Sequence, residues 1–159
     1  MNNILIFGNS GAGKSTLAKK LAEQNKLAHF ELDSIAWLPG APPVRRPLKE
    51  SMRMLNHFTD SYENWVIEGC YTDLLTHIAP RCDEMIFLNL PVNQCIANAR
   101  NRPWEPHKYS SPAEQDANLL MLIAWIKEYE TRTDTFSLQS HLLLYKNFTG
   151  NKKMITRHV

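Results

Sequence analysis

The chain has 159 residues, of which 43% are hydrophobic and 21% charged, and both fractions are typical of a globular domain and exclude a disordered or fibrous chain. A chain of this length buries roughly 70% of its unfolded surface, which supports one full core. The 18 basic and 16 acidic residues give a net charge of +2, so overall charge gives no argument for a nucleic-acid or membrane partner. We therefore expect a single domain over residues 1–159, and a monomer is favoured although the sequence leaves the oligomeric state open.

The cysteines and the first residues favour a cytoplasmic protein. Cys70, Cys82 and Cys95 are odd in number and include no CxxC pair, a pattern typical of reduced thiols. The apolar run at the start reaches a glycine after seven residues, and the sequence contains no apolar stretch of the about 18 residues that a membrane span needs. We expect no membrane partner.

Short apolar runs alternate with amphipathic segments along the chain, beginning with an apolar run that ends at Gly8. Predicted strands cover Ile4–Phe7, Leu27–Leu32 ending at Asp33, Trp65–Ile67 ending at Glu68, Met85–Leu90 and Lys153–Thr156. Predicted helices cover Lys14–Gln24, Leu48–Tyr62, Asn93–Arg100, Ala113–Glu130 and Asp134–Asn147. This alternation predicts an α/β fold with a parallel sheet covered by helices.

Two segments interrupt the alternation, residues 37–47 with four prolines and residues 101–112 with three. Proline removes a backbone donor and breaks periodicity, so neither segment is expected to form a core element. Both carry basic residues: Arg45 and Arg46 in the first, Arg102 and Lys108 in the second.

A phosphate-binding motif follows the first strand and precedes the first helix. Residues 8–15 read GNSGAGKS and fit GxxxxGK[ST], in the structural context that this motif requires. Glycines let successive N–H groups point inward, and the helix N-terminus adds positive potential. Lys14 is predicted to bridge the β- and γ-phosphates of ATP, and Ser15 to ligate Mg²⁺. A turn that only connects strand to helix would leave the Lys-Ser pair unexplained. The predicted nucleotide-binding residues are Gly8, Asn9, Ser10, Gly11, Ala12, Gly13, Lys14, Ser15 and Thr16.

Two carboxylates end predicted strands on the side where ligands bind in open parallel sheets. Glu68 ends the segment WVIEG and Asp33 ends HFELD. We predict Glu68 as a metal ligand together with Ser15, and both Glu68 and Asp33 as catalytic groups. The alternative for each is a structural cap at a strand end.

Basic residues in and around the second proline-rich segment are typical of a lid that closes over transferring phosphate. Arg100 and Arg102 begin that segment, and Arg132 lies beyond the helix that follows it. The alternative for each arginine is an exposed, solvated charge. Arg45 and Arg46 are candidates to clamp an anionic acceptor, again with a solvated loop as the alternative.

The segments ILIFGNSGAGKSTLAKKLA, LDSIAWLPG, WVIEGCYTDLL and EMIFLNLP resemble the small P-loop ATPases called adenylate-kinase-like or shikimate-kinase-like, which include proteins labelled DNA topology modulation proteins. The resemblance implies a three-layer fold of the nucleoside-monophosphate-kinase type, with a five-stranded parallel sheet in the order 2-3-1-4-5. It also implies an acceptor-binding insert at about 34–62 and an arginine-bearing lid at about 100–132. In such proteins a C-terminal segment contacts adenine, and Arg157 and His158 are the local candidates here.

The leading functional hypothesis is therefore an enzyme, a P-loop kinase that uses ATP and Mg²⁺ to phosphorylate a small-molecule acceptor. The two basic, proline-containing segments favour it because a switch protein needs no acceptor pocket. WVIEGCY lacks the arginine with which adenylate kinases grip a monophosphate. That departure favours the alternative, an NTP-binding regulatory protein with slow ATPase activity. Neither hypothesis includes a nucleic-acid partner, because the sequence contains no nucleic-acid-reading motif.

Overall fold

A computed structural model of the protein describes residues 2–40 and 42–157. His158, one candidate for the adenine site, lies outside these residues. The strands are β1 Asn3–Gly8, β2 Ala28–Glu31, β3 Trp65–Gly69, β4 Glu84–Leu88 and β5 Asn151–Ile155. The helices are α1 Lys14–Asn25, α2 Asp33–Ala36, α3 Leu48–Ser61, α4 Thr72–Ile78, α5 Val92–Arg100, α6 Pro112–Lys127 and α7 Leu138–Asn147, with 3-10 turns at Ala79–Arg81 and Glu128–Glu130.

The five strands form one parallel sheet in the order β2-β3-β1-β4-β5, as predicted. Alternate residues of each strand point to opposite faces, and each face is covered by helices. One core contains Leu5, Phe7, Ile67 and Phe87 against α2, α3, α4 and α7. The other contains Ile4, Ile6, Val66 and Ile86 against α1, α5 and α6. The chain therefore has three layers, and the carboxyl ends of β1, β2 and β3 meet at one edge.

Two element boundaries differ from the predicted ones: strand β2 ends earlier and helix α7 begins later. Strand β2 ends at Glu31, not at Asp33, because Leu32 and Asp33 already enter the short helix α2. Helix α7 begins at Leu138 and not at Asp134, because Ser137 caps it by accepting a hydrogen bond from the Ser140 N–H. The sequence patterns do not predict α2 or α4.

Within residues 2–40 and 42–157, every helix is too short or too polar to span a bilayer.

Candidate functional site

The loop between β1 and α1 has the backbone of a phosphate cradle. Gly13 precedes α1 with a φ of 89°, and a Cβ built there would meet no atom within 4 Å. Gly11 has a φ of 80°, and a Cβ there would lie 2.3 Å from the carbonyl oxygen of Cys95. Both positions need glycine for its left-handed conformation, and Gly11 also needs it for close packing on α5. Asn98 of α5 fixes the loop by donating to the carbonyl of Gly11 at 2.8 Å.

Lys14 curls back over this loop. Its Nζ donates to the carbonyl of Asn9 at 2.7 Å. The Asn9 side chain is buried and donates to the carbonyl of Ile126 in α6 at 3.3 Å. The ammonium group is thus held against the backbone of the phosphate loop, next to the N-terminus of α1 where an anion would bind.

Ser15 lies between two carboxylates. Its hydroxyl is 3.0 Å from Oε1 of Glu31 and also in hydrogen-bond contact with Oε2 of Glu68. Glu31 and Glu68 are register partners in the parallel pair of β2 and β3, so the sheet itself places them side by side. Glu68 is buried, with 3% of its surface exposed. Glu31 is absent from the sequence-based site, because that reading took Asp33 as the end of the strand.

His29 completes this cluster and is also absent from the sequence-based site. It lies two residues before Glu31 on β2, so both side chains share a face of the sheet. Its Nε2 is 3.6 Å from Oε2 of Glu68. Ligand atoms of His29, Glu31 and Glu68 all lie within 4.8 Å of one another.

Asp33 stands apart from the cluster, at the first residue of α2. The Tyr71 hydroxyl donates to its Oδ1, and the Lys108 ammonium lies 3.3 Å from its Oδ2. Burial acts to raise the pKa of Asp33, but Lys108, the Tyr71 hydrogen bond and Lys14 together hold it below its ordinary value. Burial and the adjacent Asp33 charge raise the pKa of Tyr71, so Tyr71 stays a donor. Asp33 is thus a fixed, ionised carboxylate.

Arg45 lies among aromatic rings, one of which is the ring of Tyr71. Its guanidinium carbon is 5.0 Å from the ring centre of Tyr71 and 5.7 Å from that of Phe136. It pairs with Asp73 at 3.2 Å. Tyr71 therefore contacts both a cation of the first proline-rich segment, Arg45, and the predicted catalytic carboxylate Asp33.

The lid arginines have different contacts. Arg100 is exposed at the end of α5, Arg102 pairs with Glu105 at 3.2 Å, and the Arg132 guanidinium stacks 3.5 Å from the ring centre of Trp125. Within the described residues none of the three forms an ion pair with Asp33 or Glu68. Two residues of this segment reach the site instead: Lys108, which pairs with Asp33, and His107, whose Nε2 lies 3.7 Å from Oε2 of Glu31. Proline-rich composition gives no signal for which residues do so.

The side chains at this edge fit a nucleotide and a divalent cation. A left-handed glycine loop with an inward lysine is suited to phosphate oxygens, and a hydroxyl with two carboxylates is suited to Mg²⁺. Of the predicted residues, Lys14, Ser15 and Glu68 meet here, with Asp33 adjacent.

Comparisons with known structures agree with the topology. The chain is similar to a sugar kinase from a Janibacter species, with a TM-score of 0.52 and 14% identity over 98% of this chain and 85% of that one. It is also similar to shikimate kinase from Bacteroides thetaiotaomicron, with a TM-score of 0.50 and 18% identity over 91% and 97% of the two chains. The fold is therefore the P-loop fold of the nucleoside-monophosphate-kinase type, as the sequence resemblance implies.

Sequence comparison gives one curated relative, the Bacillus subtilis protein named "Uncharacterized protein YqaC". It is 26% identical over 103 residues, which cover 65% of this chain, and the match spans 57% of the relative's length. No protein-family model matches the sequence.

Proposed function

We propose that the protein is a phosphotransferase that moves the γ-phosphoryl group of ATP, with Mg²⁺, to a small-molecule acceptor. One observation carries the proposal: two separate groups of carboxylates lie at the carboxyl ends of the strands. Glu31 and Glu68 surround the phosphate-loop Ser15, whereas Asp33 is held separately by Tyr71 and Lys108. A hydrolytic switch needs the first set, and an acceptor site explains the second.

At the nucleotide end, the residues from Gly8 to Thr16 bind phosphates through backbone N–H groups, and Lys14 leaves the Asn9 carbonyl to meet the β- and γ-phosphates. Ser15 and Glu68 would hold Mg²⁺, which supplies neutralisation of the charge on the phosphate oxygens. Because Asn98 holds the backbone of the loop at Gly11 before ligand binds, the backbone donors need little reorganisation during transfer.

At the acceptor end, Asp33 positions the hydroxyl that attacks phosphorus. Its lowered pKa makes it a weak base, but the transition state of phosphoryl transfer is loose and requires little early proton removal. Asp33 therefore acts first by accepting the hydrogen bond of the acceptor hydroxyl and takes the proton late in transfer. Tyr71 keeps its carboxylate oriented throughout.

Arg45 indicates an acceptor that carries an anionic group besides its hydroxyl. The guanidinium already pairs with Asp73 and stacks near Tyr71, so an acceptor carboxylate or phosphate would replace Asp73 at an existing cation. We propose residues 34–62 as the acceptor-binding insert and about 100–132 as the lid, with Arg100, Arg102 and Arg132 meeting phosphate charge when it closes.

The test is a screen of small anionic alcohols with ATP and Mg²⁺, in which ADP release is measured against a reaction without acceptor. A true acceptor should raise ADP release in the wild type and gain phosphate, detected by mass spectrometry. Asp33→Asn should lose this increase and keep the rate without acceptor, whereas Lys14→Ala should lose both. ADP release that no acceptor raises, and that Asp33→Asn leaves unchanged, would refute the proposal in favour of an NTP-binding regulatory protein.

A further inference from the structure

Three potential metal ligands converge beside the phosphate loop from two neighbouring strands. His29 and Glu31 lie on one face of β2, and Glu68 is the register partner of Glu31 on β3. Their ligand atoms all lie within 4.8 Å of one another. Strand pairing alone does not require the three side chains to converge in this way. The set is a nitrogen and two carboxylates, with the Ser15 hydroxyl alongside.

This cluster contains more hydrogen-bond acceptors in contact with Ser15 than the Ser15 hydroxyl can satisfy. The Ser15 hydroxyl has one proton and can donate to only one acceptor at a time, yet it contacts carboxylate oxygens of both Glu31 and Glu68. A second oxygen-to-oxygen contact therefore lacks a proton. A cation among these oxygens would satisfy all of them at once.

His29 Nε2 is the second, independent sign of a ligand. This atom is closed off from solvent, and among the described residues it has no hydrogen-bond partner. Oε2 of Glu68 lies 3.6 Å from it, beyond the range of a hydrogen bond. A buried ring nitrogen without a partner is costly, and an imidazole nitrogen within 4.8 Å of ligand oxygens of both Glu31 and Glu68 is suited to a metal ion bound among them.

We propose that His29, Glu31 and Glu68 form a binding site for a divalent transition-metal ion of the Zn²⁺ or Co²⁺ type, which loads without nucleotide. One imidazole and two carboxylates match the ligands such ions take, with a coordination position left for water or phosphate. Mg²⁺ prefers oxygen ligands and keeps several waters, so it depends on the phosphates of a nucleotide to be held. The proposed metal site does not depend on the proposed phosphotransfer, although Ser15 and Glu68 take part in both.

The experiment is a titration of tag-free, EDTA-treated full-length protein with Co²⁺ in the absence of nucleotide, followed by visible absorption. We expect one bound ion with a spectrum that reports nitrogen and oxygen ligands, and displacement by Zn²⁺ but not by equal Mg²⁺. Loss of a direct ligand should cost at least as much as loss of an outer partner, so His29→Gln should weaken binding at least about tenfold and change the spectrum.

His77→Gln is the matched control. His77 Nε2 pairs with Asn56 between α4 and α3 at 2.9 Å, away from β2, so this variant should bind Co²⁺ as the wild type does. Glu31→Gln provides a second test and should also weaken binding. Circular dichroism and urea unfolding in EDTA identify any variant that fails to fold, in which case the other one decides.

Two results would overturn the site: wild-type protein that takes up neither Co²⁺ nor Zn²⁺ without nucleotide, or folded His29→Gln and Glu31→Gln that bind Co²⁺ as tightly as wild type. The phosphotransfer proposal fails separately. If the protein binds Co²⁺ but shows no acceptor-dependent ADP release, the metal-site proposal stands and the phosphotransferase proposal fails. The reverse result supports only the phosphotransferase proposal.

Discussion

The Lys108 ammonium lies 3.3 Å from Oδ2 of Asp33 and 3.6 Å from Oε2 of Glu105. Lys108 belongs to the connection between α5 and α6, whereas Asp33 begins α2, so this ion pair joins the proposed lid to the proposed acceptor site. Burial acts to lower the pKa of Lys108, but Asp33, Glu105 and Glu31 outweigh it and hold that pKa above its ordinary value. The segment that we propose as the lid thus contacts Asp33 through a charged lysine.

Replacing Lys108 with Met should raise the pKa of Asp33, because it removes the largest charge that lowers it. A carboxylate with a lowered folded pKa stabilises the fold above its unfolded pKa and loses that contribution as the pH falls through the folded pKa. The stability difference between wild type and Lys108→Met should therefore be present at neutral pH and shrink below about pH 4. Carboxyl ¹³C NMR titration and urea unfolding measure the two effects. Lys127→Met, which removes an exposed lysine of α6, should change neither.

The α5–α6 connection, residues 101–111, should gain protection from hydrogen exchange when nucleotide and acceptor are both bound. It has few backbone hydrogen bonds of its own, and phosphate charge would supply new contacts. Arg100→Ala and Arg102→Ala should lower turnover more than nucleotide affinity, as for groups that meet charge mainly in the closed state. Lys146→Ala, at an exposed position of α7 outside both proposed segments, is the control. Equal exchange with and without ligands would mean a static loop.

Lys14→Ala should abolish ATP binding, since it removes the cation held within the cradle of N–H groups. Isothermal titration calorimetry with Mg²⁺ and ATP measures the effect. Lys20→Ala, on the exposed side of α1, should bind ATP normally. Unchanged affinity in folded Lys14→Ala would contradict the phosphate site.

The two left-handed glycines of the loop should differ in their tolerance of alanine. Gly13→Ala meets no neighbouring atom, so its cost should be the left-handed conformation alone, about 1–2 kcal/mol. Gly11→Ala adds a contact of 2.3 Å with the Cys95 carbonyl, which is backbone and must move. We expect a clearly larger loss of unfolding free energy for Gly11→Ala by urea denaturation. Equal losses would argue against the packing of this loop on α5.

His141 should make stability depend on pH. It is fully buried, accepts from the Tyr129 hydroxyl at Nδ1 (2.7 Å) and donates from Nε2 to the Cys70 carbonyl (2.8 Å). Burial lowers its pKa from 6.5 to about 4, against the opposing effect of the Cys70 carbonyl. The unfolded chain therefore binds a proton first as the pH falls, and unfolding free energy should drop by about 3 kcal/mol between pH 6.5 and 4.

His141→Gln should remove most of that slope, and His57→Gln, at an exposed position of α3, should retain it. Urea unfolding at several pH values gives the comparison. A wild-type slope that survives in folded His141→Gln would assign the pH dependence to another group.

The sheet and the phosphate loop were predictable because each depends on local residues. Gly11 and Gly13 identify the left-handed turn, and buried apolar runs identify strands. The strand order is what the family resemblance implies, and the sheet of the structure confirms it.

Sequence patterns did not indicate His29 and Glu31, the two ligands of the proposed metal site on β2, for a different reason. The prediction that the strand HFELD ends at Asp33 did not use the alternation of side chains along the strand. That alternation places His29 and Glu31 on one face of β2. That signal was present in the sequence. The register that sets Glu31 beside Glu68 was not, since it depends on packing of both strands against α1. The position of Lys108 depends on how an irregular loop folds, which no periodicity encodes.

Strand β2 lies at the edge of the sheet and is only four residues long. Two of the three proposed metal ligands therefore sit on an element paired along a single side, while Glu68 and the phosphate loop belong to the interior strands β3 and β1. A slip of β2 by one residue would turn His29 and Glu31 to the opposite face together. Ion binding and the correct pairing of β2 with β3 would then be thermodynamically linked, so that a bound ion would stabilise the native register of this outer strand.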